Sequence, residues 1–400
     1  MRHVSARLRA AHSHGAIPFK GLLAWWPYNG DMSESSPAAA APNSRIVELD
    51  GLRGCACLIV VISHYFGEVA HGAGFLCLEW IGVDLFFCLS GFLIGGILLD
   101  NRASPSYFGT FYIRRSLRIF PIYYLSVSLV LLALPRLAGP AEAAYPVGIY
   151  YGYLQNFAMS FTGVETPRWL TPTWTLCVEE QFYLLLPAIL YLTPRRWLAR
   201  VLLLLIASAS LFRLTLVMMA TNKLARYMLL PTEWDLLFVG VLGAYAQRTP
   251  SLWARLLSDD RRLLKSIIFA GLMAMLVLPF VDTALGIHSS EVIGRLVLAL
   301  ALTGLVLLLV SGSPEGARFR LPVLCFFGQI SYGLYLMHQP IAGILHGLIL
   351  GGRPDIGSLP QIAVTIGAAV ISVGVAYLSW TFFESPLIRL GHQWRYRAAR

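Results

Sequence analysis

The stretch LDGLRGCACLIVVISHYF, residues 49–66, is apolar for most of its length but contains Arg53 near its start and His64 near its end. A helix needs roughly 20 apolar residues to cross a bilayer core about 30 Å thick. We therefore predict a membrane-spanning helix here. Ionisable residues inside a membrane are costly and often functional, so Arg53 and His64 are the first candidate site residues.

The composition extends this prediction to the whole chain. Hydrophobic residues make up 57% of the 400 residues, charged residues make up 13%, and the mean hydropathy is +0.65. Such values exclude an ordinary soluble domain. We predict an all-α polytopic membrane bundle of about ten transmembrane helices. They are placed near residues 52–70, 75–99, 117–135, 174–193, 198–220, 233–247, 264–283, 291–312, 321–349 and 361–385.

Basic residues set the predicted orientation, because short loops rich in Lys and Arg stay in the cytoplasm. The loop with Arg195, Arg196 and Arg200 follows this pattern, and the loops assigned outside are poorer in basic residues. Both termini are therefore predicted to be cytoplasmic, in a multi-pass protein of the cytoplasmic (inner) membrane. The same topology accounts for the net charge of +10, so we expect a lipid bilayer and no nucleic acid as partner.

Three segments fall outside the predicted spans. Residues 1–44 lack core-forming residues and are predicted to be a disordered basic cytoplasmic tail, and residues 391–400 form a second basic tail. Residues 45–390 form the integral membrane domain. Within it, residues 145–169 are aromatic and only intermittently apolar, which indicates a re-entrant or interfacial element.

Cysteine and glycine patterns favour packing over ligand binding. The six cysteines show no CxxC pair and no histidine at ligand spacing, so we expect no metal site and no disulfide framework. Gly82, Gly91, Gly95 and Gly96 lie in one predicted helix, where small residues usually allow close helix packing.

Arg53 and His64 are eleven residues apart, which is close to three helical turns. They share one helix face but are separated by roughly 16 Å along its axis, so only a long ligand would reach both. Alternatively, Arg53 extends to the lipid headgroups and a neighbouring helix satisfies His64. A histidine that faces the bundle interior is suited to act as a general base.

The segment FYIRRSLRIFP, residues 111–121, groups three arginines. Arg118 lies three residues after Arg115 and four after Arg114, so their guanidinium groups can converge on one helix face. Guanidinium groups bind phosphate oxygens in a bidentate manner. A topology signal with lipid-headgroup contacts is the alternative.

Two further segments place polar residues in apolar helices. TPTWTLCVEEQFYLLLP carries Glu179 and Glu180, which diverge by about 100° around the helix axis, so one can face a cavity while the other meets an arginine or a cap. GQISYGLYLMHQP carries Tyr332 and His338. We favour structural packing for Tyr332 and leave the role of His338 open.

In order and spacing these motifs resemble those of the acyltransferase family 3 membrane proteins. They are LDGLRG followed by His64, FFCLSGFLIGG, FYIRRSLRIFP, TWTLCVEEQFYLLLP, SYGLYLMHQPI and FFESPL, and they cover about residues 45–390. The chain departs from the family at four cysteines, Cys55, Cys57, Cys88 and Cys177. Family members O-acylate sugars of surface polysaccharides, nodulation factors and macrolides.

The resemblance implies a donor and a general base. The donor would be an acyl-CoA, most often acetyl-CoA, whose phosphates bind a cluster of arginines: Arg53, Arg114, Arg115 and Arg118. His64 would take the proton from an acceptor hydroxyl. Direct transfer and a covalent acyl-enzyme both remain open.

The resemblance also implies residues that assist His64 and a class of acceptor. Glu179 or Glu180 would orient or charge-stabilise His64. Tyr332, His338 and Trp174 are expected to bind substrate. The acceptor would be a saccharide of a cell-surface or exported glycan, lipid-linked or not.

Two other classes of function stay open. A transporter or flippase of a saccharide or acyl group would also place arginines at one mouth and carboxylates within the bundle. The chain shows no evident internal repeat with paired broken helices, which counts against that interpretation. The second class is a structural protein that acts as a partner in a polysaccharide assembly complex.

Overall fold

The computed structural model describes residues 46–133 and 145–397. The described residues form helices and no strand, and ten runs of helix are long and apolar enough to cross a bilayer. This confirms the predicted all-α polytopic bundle. The predicted N-terminal tail, 1–44, lies outside the described residues, as do the last three residues of the 391–400 tail.

Besides a 3₁₀ helix at Pro314–Arg320, the described residues form twelve helical runs, two of them short. They are α1 (Val47–Gly67), α2 (Gly74–Asp100), α3 (Tyr107–Leu132), α4 (Val147–Tyr151), α5 (Gln155–Thr162), α6 (Thr171–Leu192), α7 (Arg195–Met218), α8 (Lys223–Gln247), α9 (Pro250–Leu285), α10 (Ser290–Val310), α11 (Pro322–Leu350) and α12 (Leu359–His392).

Three helices begin well before their predicted starts. Helix α8 begins at Lys223 instead of residue 233, because a short helix, Lys223–Met228, precedes its apolar part. Helix α3 begins at Tyr107, ten residues before residue 117, because its arginines lower the local hydropathy without interrupting the helix. Helix α9 begins at Pro250 instead of residue 264, and non-helical dihedral angles at Ser258–Arg261 divide it at a kink. Hydropathy therefore located the apolar part of each helix and missed its polar extension.

The segment predicted to be re-entrant or interfacial does not cross the membrane. Helices α4 and α5 have 5 and 8 residues, and a helix of that length rises at most about 12 Å. The amide of Gln155 is buried and donates to the Tyr123 hydroxyl (2.8 Å) and to Thr173 Oγ1 (3.0 Å). These bonds hold the segment at Gln155 against α3 and α6.

Glycines bring two helix pairs into backbone contact. A Cβ on Gly91 of α2 would overlap the Leu237 carbonyl of α8, and a Cβ on Gly54 of α1 would overlap the Leu324 carbonyl of α11. Gly328 of α11 likewise faces the α1 backbone. The predicted close packing at Gly91 is confirmed, and the α1–α11 contact joins the two helices that carry His64 and His338.

Two groups of buried charges within the spans are paired. Arg213 is fully buried and binds both carboxylate oxygens of Asp235, at 2.5 and 3.1 Å. Arg295 contacts Asp84 and Glu233, the latter at 2.6 Å. Pairing of this kind offsets the cost of charge inside a membrane protein.

The C-terminal segment packs against the start of α3. The backbone N–H of Arg397 donates to Ser106 Oγ (3.0 Å), and Arg114 Nε donates to the Trp394 carbonyl (2.8 Å). The C-terminal end therefore lies at the same face of the bundle as the start of α3. That this face is cytoplasmic remains a prediction from charge.

Candidate active site

One cavity of about 340 Å³ is rich in arginine. Its lining comes from α1, α2, α3, α6 and α11 and includes five charged side chains: Asp50, Arg53, Arg115, Arg118 and Glu179. We call it the arginine cavity. The structure thus brings together Arg53 of α1 with Arg115 and Arg118 of α3, although these helices are far apart in the sequence.

Two of these guanidinium groups have no protein acceptor. Within the described part of the chain, neither Arg53 nor Arg118 donates a hydrogen bond. Arg115 lies over the Tyr183 ring, 5.2 Å from its centroid. The nearby carboxylate of Glu179 accepts a bond from Ser90 Oγ at 2.5 Å. The arginine cavity therefore presents cationic donors that an anionic ligand can occupy.

Arg114 does not join this cluster. Its guanidinium lies 5.3 Å from the Tyr396 ring centroid and its Nε bonds to the Trp394 carbonyl. A step of one residue turns a helix by about 100°, which directs Arg114 away from the cavity that Arg115 faces. The predicted group of phosphate-binding arginines is therefore reduced by one.

A second cavity of about 700 Å³ contains His64. Its lining is polar and aromatic, with Glu68, Glu79, Trp80, Glu165, Arg168, Trp174, Lys223, Tyr227 and Gln339 among its residues. We call it the histidine cavity. Carboxylates and aromatic rings at one surface are suited to a ligand that has both hydroxyl groups and apolar ring faces.

His64 forms a hydrogen bond with His338 that fixes its tautomer. The distance from His64 Nδ1 to His338 Nε2 is 2.7 Å, and His338 Nδ1 lies 3.0 Å from the Leu334 carbonyl. A carbonyl only accepts, so His338 Nδ1 carries the proton and, in a neutral ring, its Nε2 accepts from His64 Nδ1. His64 Nε2 is then left with a free lone pair, as a general base requires.

The backbone around His64 is a π-helical turn, Ser63–Gly67, at the end of α1. Ser63 ties this turn to the first turn of α2, because its Oγ accepts from the Leu78 N–H (2.9 Å) and donates to the Leu76 carbonyl (2.5 Å). Turns of this type often occur at functional sites. Here the turn sets the direction in which His64 points.

Glu68 lies one turn beyond His64. Its Oε1 is 3.8 Å from His64 Nε2. Burial, with a further contribution from the neighbouring carboxylate of Glu79, raises the pKa of Glu68 to about 7, although Arg168 acts in the opposite direction. Near neutral pH this carboxyl therefore changes charge beside the free nitrogen of His64.

The structure corrects the predicted role of the glutamate pair. Glu179 lines the arginine cavity and bonds to Ser90, whereas His64 lines the histidine cavity. Glu180 is absent from the lining of both cavities, and its Oε1 has no hydrogen-bond partner among the described residues. The groups that contact His64 are His338 and Glu68 instead.

The three residues expected to bind substrate occupy different places. Trp174 lines the histidine cavity, and its ring lies 5.1 Å from that of Tyr227. Tyr332 lines the arginine cavity and donates to the Ile119 carbonyl (3.1 Å). His338 is fully buried behind His64 and lines neither cavity.

The two cavities meet in the middle of the bundle. Val83 and Tyr335 line both of them. Arg53 and His64 lie on either side of this junction on α1, at positions roughly 16 Å apart along the helix axis. The arginine cavity and the histidine cavity therefore adjoin at Val83 and Tyr335.

A comparison with known protein families identifies the family of this chain. The family model of the acyltransferase domain named acyltransferase 3 matches residues 46–381. The chain belongs to the acyltransferase 3 family. No solved structure gives a significant match.

Curated relatives of this acyltransferase 3 chain include two named O-acetyltransferases. Peptidoglycan O-acetyltransferase OatA of Listeria monocytogenes is 28% identical over 369 residues, covering 86% of this chain and 56% of the relative. O-acetyltransferase OatA of Staphylococcus aureus is 26% identical over 370 residues, covering 86% and 57%. The chain thus spans just over half the length of these relatives.

Two residues of the candidate site were missed in the sequence. Glu68 stands four residues after His64, and Tyr335 stands three residues before His338. Both spacings put the pairs on one helix face, which is a signal that could have found them. The hydrogen bond between His64 and His338 spans 274 positions, and local spacing carries no sign of it.

Proposed function

We propose that this chain is a membrane O-acyltransferase that transfers acetyl from acetyl-CoA to a saccharide hydroxyl. The observation that carries the proposal is the junction of an arginine cavity and a histidine cavity at Val83 and Tyr335. The family supports the acyl-transfer chemistry. The predicted orientation makes the arginine cavity accessible from the cytoplasm, where acyl-CoA is available.

The arginine cavity suits the charged end of coenzyme A. Among the residues that the structure describes, Arg53 and Arg118 donate no hydrogen bond, and Arg115 lies in the same lining. Phosphate oxygens match such groups in charge and geometry. The pantetheine arm is long and uncharged, so it can extend from the arginines toward the junction, where the thioester would meet His64.

The arrangement around His64 then performs the transfer. His64 Nε2 takes the proton of the acceptor hydroxyl as that oxygen attacks the thioester carbonyl. The tetrahedral intermediate collapses, the carbon–sulfur bond breaks, and the proton passes from His64 to the thiolate. The products are the O-acetyl ester and free coenzyme A, and ionised Glu68 stabilises the transient imidazolium.

The histidine cavity suits a saccharide acceptor. Trp80, Trp174 and Tyr227 offer aromatic faces to sugar rings, and Glu68 and Glu165 offer acceptors to sugar hydroxyls. The named relatives include a peptidoglycan O-acetyltransferase. We therefore place the acceptor among glycans of the cell envelope, lipid-linked or not, at the outer side of the cytoplasmic membrane.

Removing the hydrogen-bond acceptor of His64 should slow the reaction without weakening donor binding. We expect His338→Leu to lower kcat by about 10²-fold, the lower part of the range for general-base catalysis. The KM for acetyl-CoA should stay within about twofold, since His338 lies outside the arginine cavity. Steady-state kinetics in detergent measure both quantities.

The matched variant His338→Gln separates the loss of the hydrogen bond to His64 from the loss of side-chain packing at residue 338. Its side-chain carbonyl can accept the proton of His64 Nδ1, so it should recover part of the lost kcat. Equal kcat for the leucine and glutamine variants, at equal expression and thermal stability, would contradict the tautomer assignment.

The charge on Glu68 predicts a pH dependence. Because its pKa is raised to about 7, Glu68 is protonated below that pH and ionised above it. Ionised Glu68 stabilises the imidazolium of His64, so kcat should rise as pH increases through about 7. The pH–rate profile of Glu68→Gln should lack this step. An unchanged step in that variant would assign the ionisation to another group.

Acetyl transfer in membranes tests the proposal as a whole. Membranes that contain the protein should move radiolabel from acetyl-CoA to envelope glycan as an alkali-labile ester, above a host background that lacks the protein. Movement of the saccharide across the membrane without ester formation would reject the enzyme and favour a transporter or flippase.

A further inference from the structure

Gln339 of α11 carries an amide that has no partner among the described residues. The residue is only 7% exposed, and it lines the histidine cavity. Its Oε1 atom is buried without a hydrogen bond, and its Nε2 atom donates to no residue that the structure describes. Leaving a buried amide unpaired costs free energy. A ligand in the histidine cavity can supply the missing hydrogen bonds.

The position of Gln339 along α11 places it on the acceptor side of the junction. Tyr332 lines the arginine cavity, Tyr335 lines both cavities, and Gln339 lines the histidine cavity alone. The helix therefore passes from one cavity to the other over these residues. Gln339 stands four residues after Tyr335, which is about one turn and a rise of roughly 6 Å. Gln339 thus lies beyond the junction, on the side away from the arginines.

The same position brings Gln339 to the level of His64. The preceding residue, His338, places its Nε2 atom 2.7 Å from His64 Nδ1. One residue of helix rises about 1.5 Å, so His338 and Gln339 lie at nearly the same height on α11. Their side chains diverge by about 100°, which puts the His338 ring behind His64 while Gln339 borders the cavity. A ligand in this cavity can therefore contact both His64 and Gln339.

The chemistry of the amide matches two neighbouring hydroxyl groups. Its oxygen accepts a hydrogen bond and its nitrogen donates one, whereas a hydroxyl can do either. Two hydroxyls on adjacent carbons of a sugar ring can therefore satisfy both atoms at once. The terminal torsion of glutamine is broad, so the side chain can turn both atoms toward a ligand. Trp80 and Trp174 in the same lining offer aromatic faces to the ring itself.

We propose that Gln339 binds two neighbouring hydroxyl groups of the saccharide acceptor and thereby selects which hydroxyl is presented to His64. This inference rests on the proposed transfer of acetyl to a saccharide. Two hydrogen bonds to one amide fix the orientation of the sugar ring, and orientation decides which oxygen can reach the thioester carbonyl. Gln339 binds the acceptor, and it determines the position of the ester.

Removing the amide should weaken acceptor binding and make the position of the ester less specific. Gln339→Met keeps the length of the side chain and loses both hydrogen-bonding atoms. We expect the KM for soluble fragments of the cell's own envelope glycan to rise about 10- to 100-fold, since two hydrogen bonds are lost. The KM for acetyl-CoA should stay within about twofold, because Gln339 does not line the arginine cavity. NMR of the product should show acetyl on several hydroxyls, where wild type esterifies one.

Further variants separate recognition of the acceptor from packing. Gln339→Glu keeps oxygens that accept from both hydroxyls, so it should recover part of the acceptor KM and of the specificity for one position. Gln181→Met is the matched control, because Gln181 lines neither cavity and its Nε2 donates to Asn156 Oδ1 (2.9 Å). The control should leave the acceptor KM within about twofold of wild type.

Thermal unfolding in detergent reports whether each variant is folded. Should Gln339→Met not fold, Gln339→Asn provides the same test, because its amide is withdrawn from the cavity by one methylene group. That variant should also raise the acceptor KM and spread the acetyl over several positions. Neither change in folded Gln339→Asn would then count against the proposed contact.

The outcomes distinguish this inference from the function on which it rests. Wild type that transfers acetyl, with acceptor KM and ester position unaltered in folded Gln339→Met, would overturn the role of Gln339 and leave the acyltransferase intact. A fall in kcat alone would assign the amide to the oxyanion of the transition state and would also overturn it. Wild type that transfers no acetyl to glycan would instead reject the proposed function. A raised acceptor KM with several ester positions in Gln339→Met, and neither change in Gln181→Met, supports the inference.

Discussion

Replacing His64 with alanine is expected to lower kcat for acetyl transfer by about 10²- to 10⁴-fold, which is the usual contribution of a general base. Without the imidazole, the group proposed to take the hydroxyl proton as the thioester is attacked is lost. The dissociation constant of coenzyme A should change little, because His64 lies in the histidine cavity. Radiolabel transfer and equilibrium binding measure the two effects separately.

A second buried histidine of the bundle provides the control. His346 is fully buried on α11, lines neither cavity, and bonds to Thr365 Oγ1 at 2.9 Å. His346→Ala should keep kcat within a few-fold of wild type wherever it folds. If His64→Ala retained wild-type kcat, the assignment of the general base would be wrong.

Replacing Arg118 with alanine should weaken donor binding. A hydrogen bond to a charged group contributes roughly 1.5–3 kcal/mol, so the Kd of coenzyme A is expected to rise about 10- to 100-fold. The loss should be smaller for a dephosphorylated analogue, because the guanidinium acts on phosphate. Binding to purified protein in detergent measures the Kd, and kcat at saturating donor should be largely retained.

Arg114 supplies a control on the same helix. It carries the same charge but binds the C-terminal segment through Trp394. Arg114→Ala should therefore leave the Kd of coenzyme A within about twofold. Equal weakening by Arg114→Ala and Arg118→Ala would show a general effect of positive charge and would contradict a defined phosphate site.

The fold was predictable because lipid imposes a simple length rule. Ten apolar windows gave ten spans, and the short aromatic segment was correctly kept out of the membrane count. The polar ends of helices were not predictable in this way. Arg114, Arg115 and Arg118 lie inside α3 although they depress its hydropathy, since arginine is a good helix former.

The site was predictable only in part. Spacing along α1 correctly separated Arg53 from His64, because helix geometry is fixed by the local sequence. The partner of His64 was not identified, since His338 reaches it through glycine contacts between α1 and α11 that no local pattern encodes. Glu179 or Glu180 was expected beside His64, but Glu179 lines the arginine cavity, because sequence alone gives no rotation of α6 relative to α1.

The most direct test of the account is the sidedness of the reaction, because the account places donor and acceptor in cavities reached from opposite faces of the bundle. The purified protein is reconstituted into sealed vesicles, with glycan isolated from its own cells enclosed inside and labelled acetyl-CoA added outside. A parallel sample has both reagents outside, and permeabilised vesicles serve as the control.

The account predicts label on the enclosed glycan when donor and acceptor are on opposite sides, and background label when both are outside. Permeabilisation should then allow transfer in both samples. Full transfer with both reagents outside sealed vesicles, and none across the membrane, would contradict a route from the arginine cavity past Val83 and Tyr335 to His64.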